Sequence, residues 1–458
     1  MSEDKKLNMP QSLLLLLLII GSVAVCIRLK TGGPMIGLFM SWIIIYLFCK
    51  VLRINYEHVV NGAYDAIRVV VPTLCLLMAI GVMIGTWLQS GTIATIIVGG
   101  LKLINPTWLL PLTLIFCAVL SLVTGTSYGS VGSAGVAMMA IGNAMSIHPG
   151  MVAGAVICGA MFGDKLSPLS DTTNLAPAVA GSKLNDHVRS MLWTTLPTFV
   201  ISLVLFVILG ISQTSGNYET GNLLTYIDAL QGEFKLGFIT LLPAIAIIIL
   251  LLCKVNAVVS LGLSAICAGA VSFFYQGATL QSIIRVAYNG YSTSIEEGIL
   301  QTILNRGGMS SMLQYVAIIC FAVGMGGMLD LGNLLNAIVN HINSDGSLIA
   351  ASLLVGYVTS LISCSQPMSH VLTGNMMKPL FKSRKIAPEI LSRTLEDAGT
   401  LSGPMIPWHG YCVYMSGTLG VAWSIFFPYL FLLYLTPLFS IFYGFTGISI
   451  QHTDDAQN

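Results

Sequence analysis

Charge is what this sequence has least of. Of 458 residues, 20 are Lys or Arg and 19 are Asp or Glu, 9% of the chain, against roughly 25% in ordinary soluble domains. With 55% hydrophobic residues and a mean hydropathy of +0.84, no soluble fold has interior enough for the apolar side chains, which leaves a polytopic membrane protein. A net charge of +1 lacks the field that draws a protein to nucleic acid, so polyanion partners are excluded. The ten cysteines stand singly with no CxxC pair; that excludes a zinc ribbon or dithiol centre and makes them small buried hydrophobes. The N-terminal stretch is not expected to be a cleavable leader. The apolar stretch after Met9 runs to Arg28 with no small-residue cleavage site, so Ser12 to Ile27 is expected to stay as a first span.

What is present is a series of apolar runs near the ~20 residues a bilayer crossing needs, starting at about positions 11, 34, 69, 107, 149, 190, 236, 256, 313, 347 and 421. They predict an all-α polytopic bundle. Two runs, from Trp108 and from Leu348, lead into polar tips, Thr124-Gly125-Thr126-Ser127-Tyr128-Gly129-Ser130 and Ser363-Cys364-Ser365-Gln366-Pro367-Met368-Ser369, followed by shorter apolar pieces. These read as re-entrant helical hairpins. Downstream of each, a polar stretch with a proline interrupts a spanning helix: Gly163 to Asn174, and Glu396 to Pro404.

The matching interruptions, and the return of Ala79-Ile80-Gly81 as Ala322-Val323-Gly324, predict an internal duplication. The expected organisation is an N-terminal helix over 1–32; a first repeat over 33–181, with a hairpin near 107–146 and a broken helix near 149–181; connecting helices and an acidic loop over 182–253; a second repeat over 254–411, with a hairpin near 347–380 and a broken helix near 388–411; and a C-terminal helix and tail over 412–458. Lys378, Lys382, Arg384, Lys385 and Arg393 mark a cytoplasmic face, and Glu219, Asp228 and Glu233 an external loop. Counting crossings from these anchors makes the repeats inverted, with Arg28 and Lys30 on the wrong side.

Backbone freed from helical bonding is tolerated at membrane depth only where it lines a cavity, so paired interruptions point to a transport site. An ionised Asp at the bilayer centre costs at least ~2.5 kcal/mol, and cation binding explains why several are there. Sodium needs oxygen ligands. Asp164, Asp171, Ser127, Thr126, Thr172, Thr173 and Asn174 offer them in the first half, with Asp164, Asp171, Thr172 and Asn174 as the expected Na+ ligands; Asp397, Glu396, Ser365 and Thr400 offer them in the second. A buried carboxylate also binds a proton, and competition between the two ions for one site gives antiport.

Blander roles exist for the same residues. Asp171 can cap a half-helix, and Glu396 and Asp397 can pair with Arg393, three and four residues away. Lys165 reads as a counter-charge for Asp164 or Asp171, Asp330 as a cap, and Glu296 and Glu297 as part of an interfacial loop from Tyr291 to Gly308. His409 is either an interfacial histidine beside Trp408 or a proton-sensitive group. His148, His187, His341 and His370 fall near predicted loops or tips. Paired glycines four apart, at 81 and 85, 125 and 129, 150 and 154, and 159 and 163, fit close helix contact. Gly125-Thr126-Ser127-Tyr128-Gly129 matches the nucleophile elbow of serine hydrolases, but no strand precedes it; an intramembrane serine hydrolase using Ser127 is a remote alternative, and a channel is another.

The stretch Gly163-Asp164-Lys165-Leu166-Ser167-Pro168-Leu169-Ser170-Asp171-Thr172-Thr173-Asn174-Leu175-Ala176 closely resembles the signature of the NhaC family of bacterial Na+/H+ antiporters, and Ser392 to Thr400 through Pro407-Trp408 resembles its second-half counterpart. The resemblance implies a secondary transporter of the bacterial cytoplasmic membrane with two inverted repeats and re-entrant hairpins, a homodimer whose transport domains slide past a scaffold, and Na+ and H+ as cargo with no cofactor. The family also includes sodium-linked exchangers of malate against lactate and of amino acids. This chain departs from the pattern after the Pro-Trp pair, where it has His409 in place of the expected Asn. Gln366, His409 and Tyr411 then become candidates for an organic substrate's polar groups, and Lys165 for its carboxylate.

Overall fold

The computed structural model describes residues 9–29, 34–214, 220–293, 301, 304–329 and 344–453. The expectations for Glu219, Glu296, Glu297, Asp330 and His341 fall outside them. Among the described residues the fold is helical, the lone β-bridge joining Ile386 and His452. Seven helices are long and apolar enough to cross a bilayer, or up to ten if each of three bent pairs counts as one span.

The helices start where polar caps meet apolar runs. Asn105 accepts from the Thr107 amide at 3.0 Å ahead of Pro106, and Ser344 and Ser347 form a capping box at Asp345–Ser363. Close packing follows the small residues. A Cβ at Gly159 would stand 2.3 Å from the carbonyl oxygen of Leu114, and one at Gly163 2.3 Å from that of Ala118, so the Pro149–Leu166 helix lies directly on the backbone of Pro106–Thr124. Gly81 and Gly85 meet Gly308 and Val286 in the same way, and Gly150 and Gly154 meet Ile425 and Tyr429.

Both polar tips are turns between antiparallel arms. The first hairpin runs down Pro106–Thr124 and returns through Ser127–Ser130, a π turn at Val131–Gly135 and Val136–Ala144; the second pairs Asp345–Ser363 with Gln366–Ser383. Each descending arm ends on a residue in the left-handed region, Gly125 (φ 69°) or Cys364 (φ 53°), followed by an extended one, Thr126 or Ser365. The parallel continues. Ser146 and Lys385 both have φ 56°, Pro149 and Pro388 open the next helices, and Gly181 and Gly420 close the half-helices beyond the breaks. Every pair is separated by 239 residues (364 minus 125).

This register differs in detail from the spacing of the motifs. It sets Thr126, not Ser127, opposite Ser365, and it sets Asp164 opposite Gly403, not Asp397. The first broken helix is Pro149–Leu166 plus Asp171–Ala180, bent by 49°. The second is Pro388–Leu395, a π turn at Glu396–Thr400, a 3-10 turn at Gly403–Met405, then Gly410–Leu419. Its helix resumes only after Pro404 and Pro407 and so extends past residue 411.

Candidate ion-binding site

The first break has a local cause. Ser167 precedes Pro168, and a residue before proline is pushed out of the helical region; Ser167 is extended at φ −77°, ψ 123°. Side chains from beyond the break bond the carbonyls around it, two of which, those of Asp164 and Ser170, also accept from the backbone amides of Ser167 and Asn174. The Thr173 hydroxyl donates to the carbonyls of Asp164 (3.1 Å) and Lys165 (3.0 Å), and the Asn174 amide donates to those of Pro168 (2.9 Å) and Ser170 (2.7 Å). Thr172 pairs with Ser170 at 3.1 Å. These groups were expected to face an ion; here Thr173 and Asn174 use their donors to close the break.

Asp164, one turn before the break, is 6% exposed. Its Oδ2 accepts from the Ser127 hydroxyl at the tip of the first hairpin and from Tyr411 at 3.4 Å. Thr126 caps the short helix that carries Ser127. The Tyr411 ring stacks on Tyr128 with centroids 4.3 Å apart, and Tyr414 donates to the Tyr128 carbonyl at 2.6 Å. The tip of one half therefore meets the second half-helix of the other. Asp171 lies elsewhere, exposed in the first turn of its half-helix and sharing no partner with Asp164 among the described residues.

In the second half, the π turn places Glu396 and Asp397 side by side with no exposure. Asp397 Oδ1 is the partner of Lys165 Nζ and also accepts from Thr194 at 3.2 Å; Lys165 donates further to Thr195 at 2.8 Å. Lys165 thus answers Asp397 across the two broken helices, 232 residues apart, in place of the expected Asp164 or Asp171. Arg393 is equally buried, but Nη1 donates to Ser449 Oγ at 3.0 Å and not to the acids three and four residues on. Asp397 Oδ2 and both oxygens of Glu396 accept no hydrogen bond among the described residues. Thr400 Oγ1, close to Glu396, lies 3.1 Å from His370 Nε2. Lys165, Asp164 and Asp397 all lie near enough to act on the Glu396 charge.

The remaining candidates bound this cluster. Gln366 Nε2 donates to the Thr400 carbonyl at 2.7 Å, and His409 Nδ1 caps Gly410–Leu419 by accepting from the Tyr411 amide at 3.0 Å. Ser365 stands at the N-cap position of the rising arm of the second hairpin, with no capping bond from its hydroxyl, and lines a cavity of about 180 Å³ with Ser363, Gly326 and Gly327. Sequence spacing missed Thr194 and Thr195, because a threonine on an apolar helix carries no signal until its neighbour is known. His187, in the first turn of Leu184–Thr214, and His370, just past the second tip, lie near a loop and a tip as expected, and both rings are fully buried.

A helix bundle that breaks two spans to bring three acids and two cations together in its buried interior is built as a membrane transporter. The comparisons agree. A model of the Na+/H+ antiporter family matches residues 159–448, and the chain belongs to that family. It is 34% identical over 99% of both chains to the Na(+)/H(+) antiporter NhaC of Alkalihalophilus pseudofirmus. It is also 34% identical to the malate-2H(+)/Na(+)-lactate antiporter of Bacillus subtilis, over 91% of this chain and 90% of that one, and 31% identical to the arginine/ornithine antiporter ArcD of Halobacterium salinarum, over 88% and 84%. The protein is a sodium-coupled antiporter, not an enzyme, and a multi-pass protein of the bacterial cytoplasmic membrane.

Proposed function

We propose that the chain exchanges Na+ for H+, with Asp164 and Glu396 as the carboxylates the two ions share. The observation that carries this is the charge inventory. Three buried acids, Asp164, Glu396 and Asp397, stand against two buried cations, Lys165 and Arg393. An uncompensated charge in such a place costs several kcal/mol, so the cluster is one positive charge short. A single Na+ or a single proton completes it, both at once overfill it, and the empty site is penalised in crossing. Lys165 holds Asp397, which leaves the bare Glu396 and the hydroxyl-bonded Asp164 to change partners. Ser127, Tyr411 and Thr400 are the hydroxyl ligands for sodium.

The constant 239-residue register supports two inverted repeats, whose hairpins and broken helices form a transport domain moving against a scaffold in a homodimer. The second reading, sodium- and proton-coupled exchange of a small carboxylate or amino acid, rests on the relatives named for malate and lactate and for arginine and ornithine. In the present geometry Lys165, Gln366 and Tyr411 bond protein groups, as does Nδ1 of His409, while His409 Nε2 has no hydrogen-bond partner among the described residues.

The test is a sodium pulse to proteoliposomes holding a pH-reporting dye. Prompt proton efflux with no organic solute present supports the first reading. Movement only when malate, lactate or arginine is added replaces it with the second.

A further inference from the structure

The half-helix Gly410–Leu419 meets the acid cluster at one end and an arginine at the other. Tyr411 bonds Asp164, and Gly420 closes the helix nine residues on, about 14 Å along the axis at ~1.5 Å per residue. A Cβ on Gly420 would stand 2.0 Å from Nη2 of Arg306 and 2.5 Å from its Cζ, so the guanidinium lies directly against that glycine. The backbone that carries it is held on both sides. The Tyr291 amide donates to the Arg306 carbonyl at 3.1 Å, the Gly308 amide donates to the Gly81 carbonyl at 2.7 Å, and Gly307 and Gly308 turn at φ 84° and 83°. Yet the guanidinium has no hydrogen bond and no ion pair among the described residues.

Arg306 instead lines a cavity of about 320 Å³ with Asn289, Asn305, Ser311, Gln314 and Tyr315. Asn289 and Tyr291 also line a neighbouring space of about 700 Å³, which holds a second arginine, Arg285, and Gln89, whose Oε1 is buried without a donor. No acid lines either space among the described residues. Glu233 is close by, but it accepts from the Tyr291 hydroxyl at 2.6 Å and from Thr293, and so ties the loop down. This is the face that Glu233 marks as external.

A cation that merely ends a helix is the plainer reading. The matching half-helix shows that arrangement: beside Gly181, 239 residues earlier, the Lys378 ammonium donates to the Val179 carbonyl at 3.0 Å. Arg306 donates to no carbonyl of its half-helix. Attraction to the helix dipole alone, about 0.3–1 kcal/mol, explains a positive charge there, but not five unpartnered donors turned to a polar cavity without an acid.

We propose that this cavity binds a small carboxylate bearing a hydroxyl or amino group. Arg306 holds the carboxylate through two parallel N–H···O bonds, and the side-chain amides of Asn289, Asn305 and Gln314 meet the second polar group. The volume is that of a small-ligand site, which starts at about 300 Å³, and Arg285 in the adjoining space adds the field that draws an anion in. The site is separate from the buried acids and needs neither reading of the exchange.

The experiment measures equilibrium binding of labelled malate, lactate and alanine to the full chain purified in detergent. Saturable binding of at least one is expected, with Arg306→Gln weakening it about tenfold or more, the scale of a lost hydrogen bond to a charged group. Arg306→Lys keeps the charge without the fork and is expected to fall between the two; Gln314→Leu, at an exposed position of the lining, is expected to weaken binding by a smaller factor. No saturable binding of any of the three overturns the proposal, as does unchanged binding in monodisperse Arg306→Gln or, should that variant fail to fold, in both Arg306→Lys and Gln314→Leu. Full displacement by chloride at equal concentration overturns the carboxylate assignment. Binding lost in the Lys165→Met, Asp397→Asn double variant and kept in Arg306→Gln would put the carboxylate at the acid cluster and overturn it too.

Discussion

Removing one member of the Lys165–Asp397 pair should be far worse than removing both. Each side chain has no exposure, and breaking such a pair leaves a bare charge at a cost of about 3–5 kcal/mol, whereas replacing the whole pair is often neutral. Lys165→Met strands Asp397 with only the Thr194 hydroxyl, and Asp397→Asn strands the ammonium with only Thr195. The double variant leaves no charge, and the new amide can use both threonines. Each single variant should lose about 3–5 kcal/mol in a mixed-micelle unfolding titration. The double variant should fall within ~1 kcal/mol of the parent, a coupling of at least about 5 kcal/mol and so above the ~0.5–3 kcal/mol that contacting residues usually show. Transport makes a second, independent readout. Removing the pair takes away one negative and one positive charge, so the cluster stays one charge short and sodium-driven proton movement should survive in the double variant. Additive stability losses would show that the two charges do not compensate each other. A well-folded but transport-dead double variant would make Asp397 itself the carrier and refute the assignment to Asp164 and Glu396.

Asp164→Asn and Glu396→Gln should each abolish sodium-driven proton movement with expression intact, while Asp171→Asn, on an exposed half-helix end, should leave at least about half the rate and cost no more than ~1 kcal/mol as a lost helix-terminus charge; vesicle dye assays on the three variants decide it. Thr173→Val, nearly isosteric, should cost about 1–3 kcal/mol in the same titration, because the Lys165 carbonyl loses its Thr173 hydrogen bond and that of Asp164 keeps only the Ser167 amide. Gly163→Leu should prevent accumulation of folded protein, judged by monodispersity in detergent, because even a Cβ there would lie 2.3 Å from the Ala118 carbonyl oxygen. Asp65→Asn breaks the ion pair with Arg68, but those side chains are 71% and 80% exposed, so its unfolding midpoint should stay within about 0.5 kcal/mol of the parent.

The legible part of this molecule was written in its breakers. Pro168 with Ser167 before it, Pro404 and Pro407, and the glycine of the first tip interrupt the helix where they stand, although Pro111 and Pro197 sit inside continuous helices, so the interruptions themselves could be read from residue order. Partnership could not. Lys165 lies one residue from Asp164 and six from Asp171, and any argument from spacing assigns it to one of them; successive residues on a helix point about 100° apart, and that turn aims Lys165 at Thr195 and Asp397 of the other half. The same geometry sends Arg393 away from the acids on its own helix toward Ser449, because the π turn that begins at Glu396 shifts the helix register just where a pairing at three or four residues would form. A π turn carries no sequence mark, and in the 239-residue register the acids of the second half fall nearer the start of its broken helix, where the first half carries Ile157 and Cys158. The backbone landmarks recur at 239 residues and the charges do not. That offset lets Lys165 of one half reach Asp397 of the other, and it leaves Asp164 and Glu396 to face the ions.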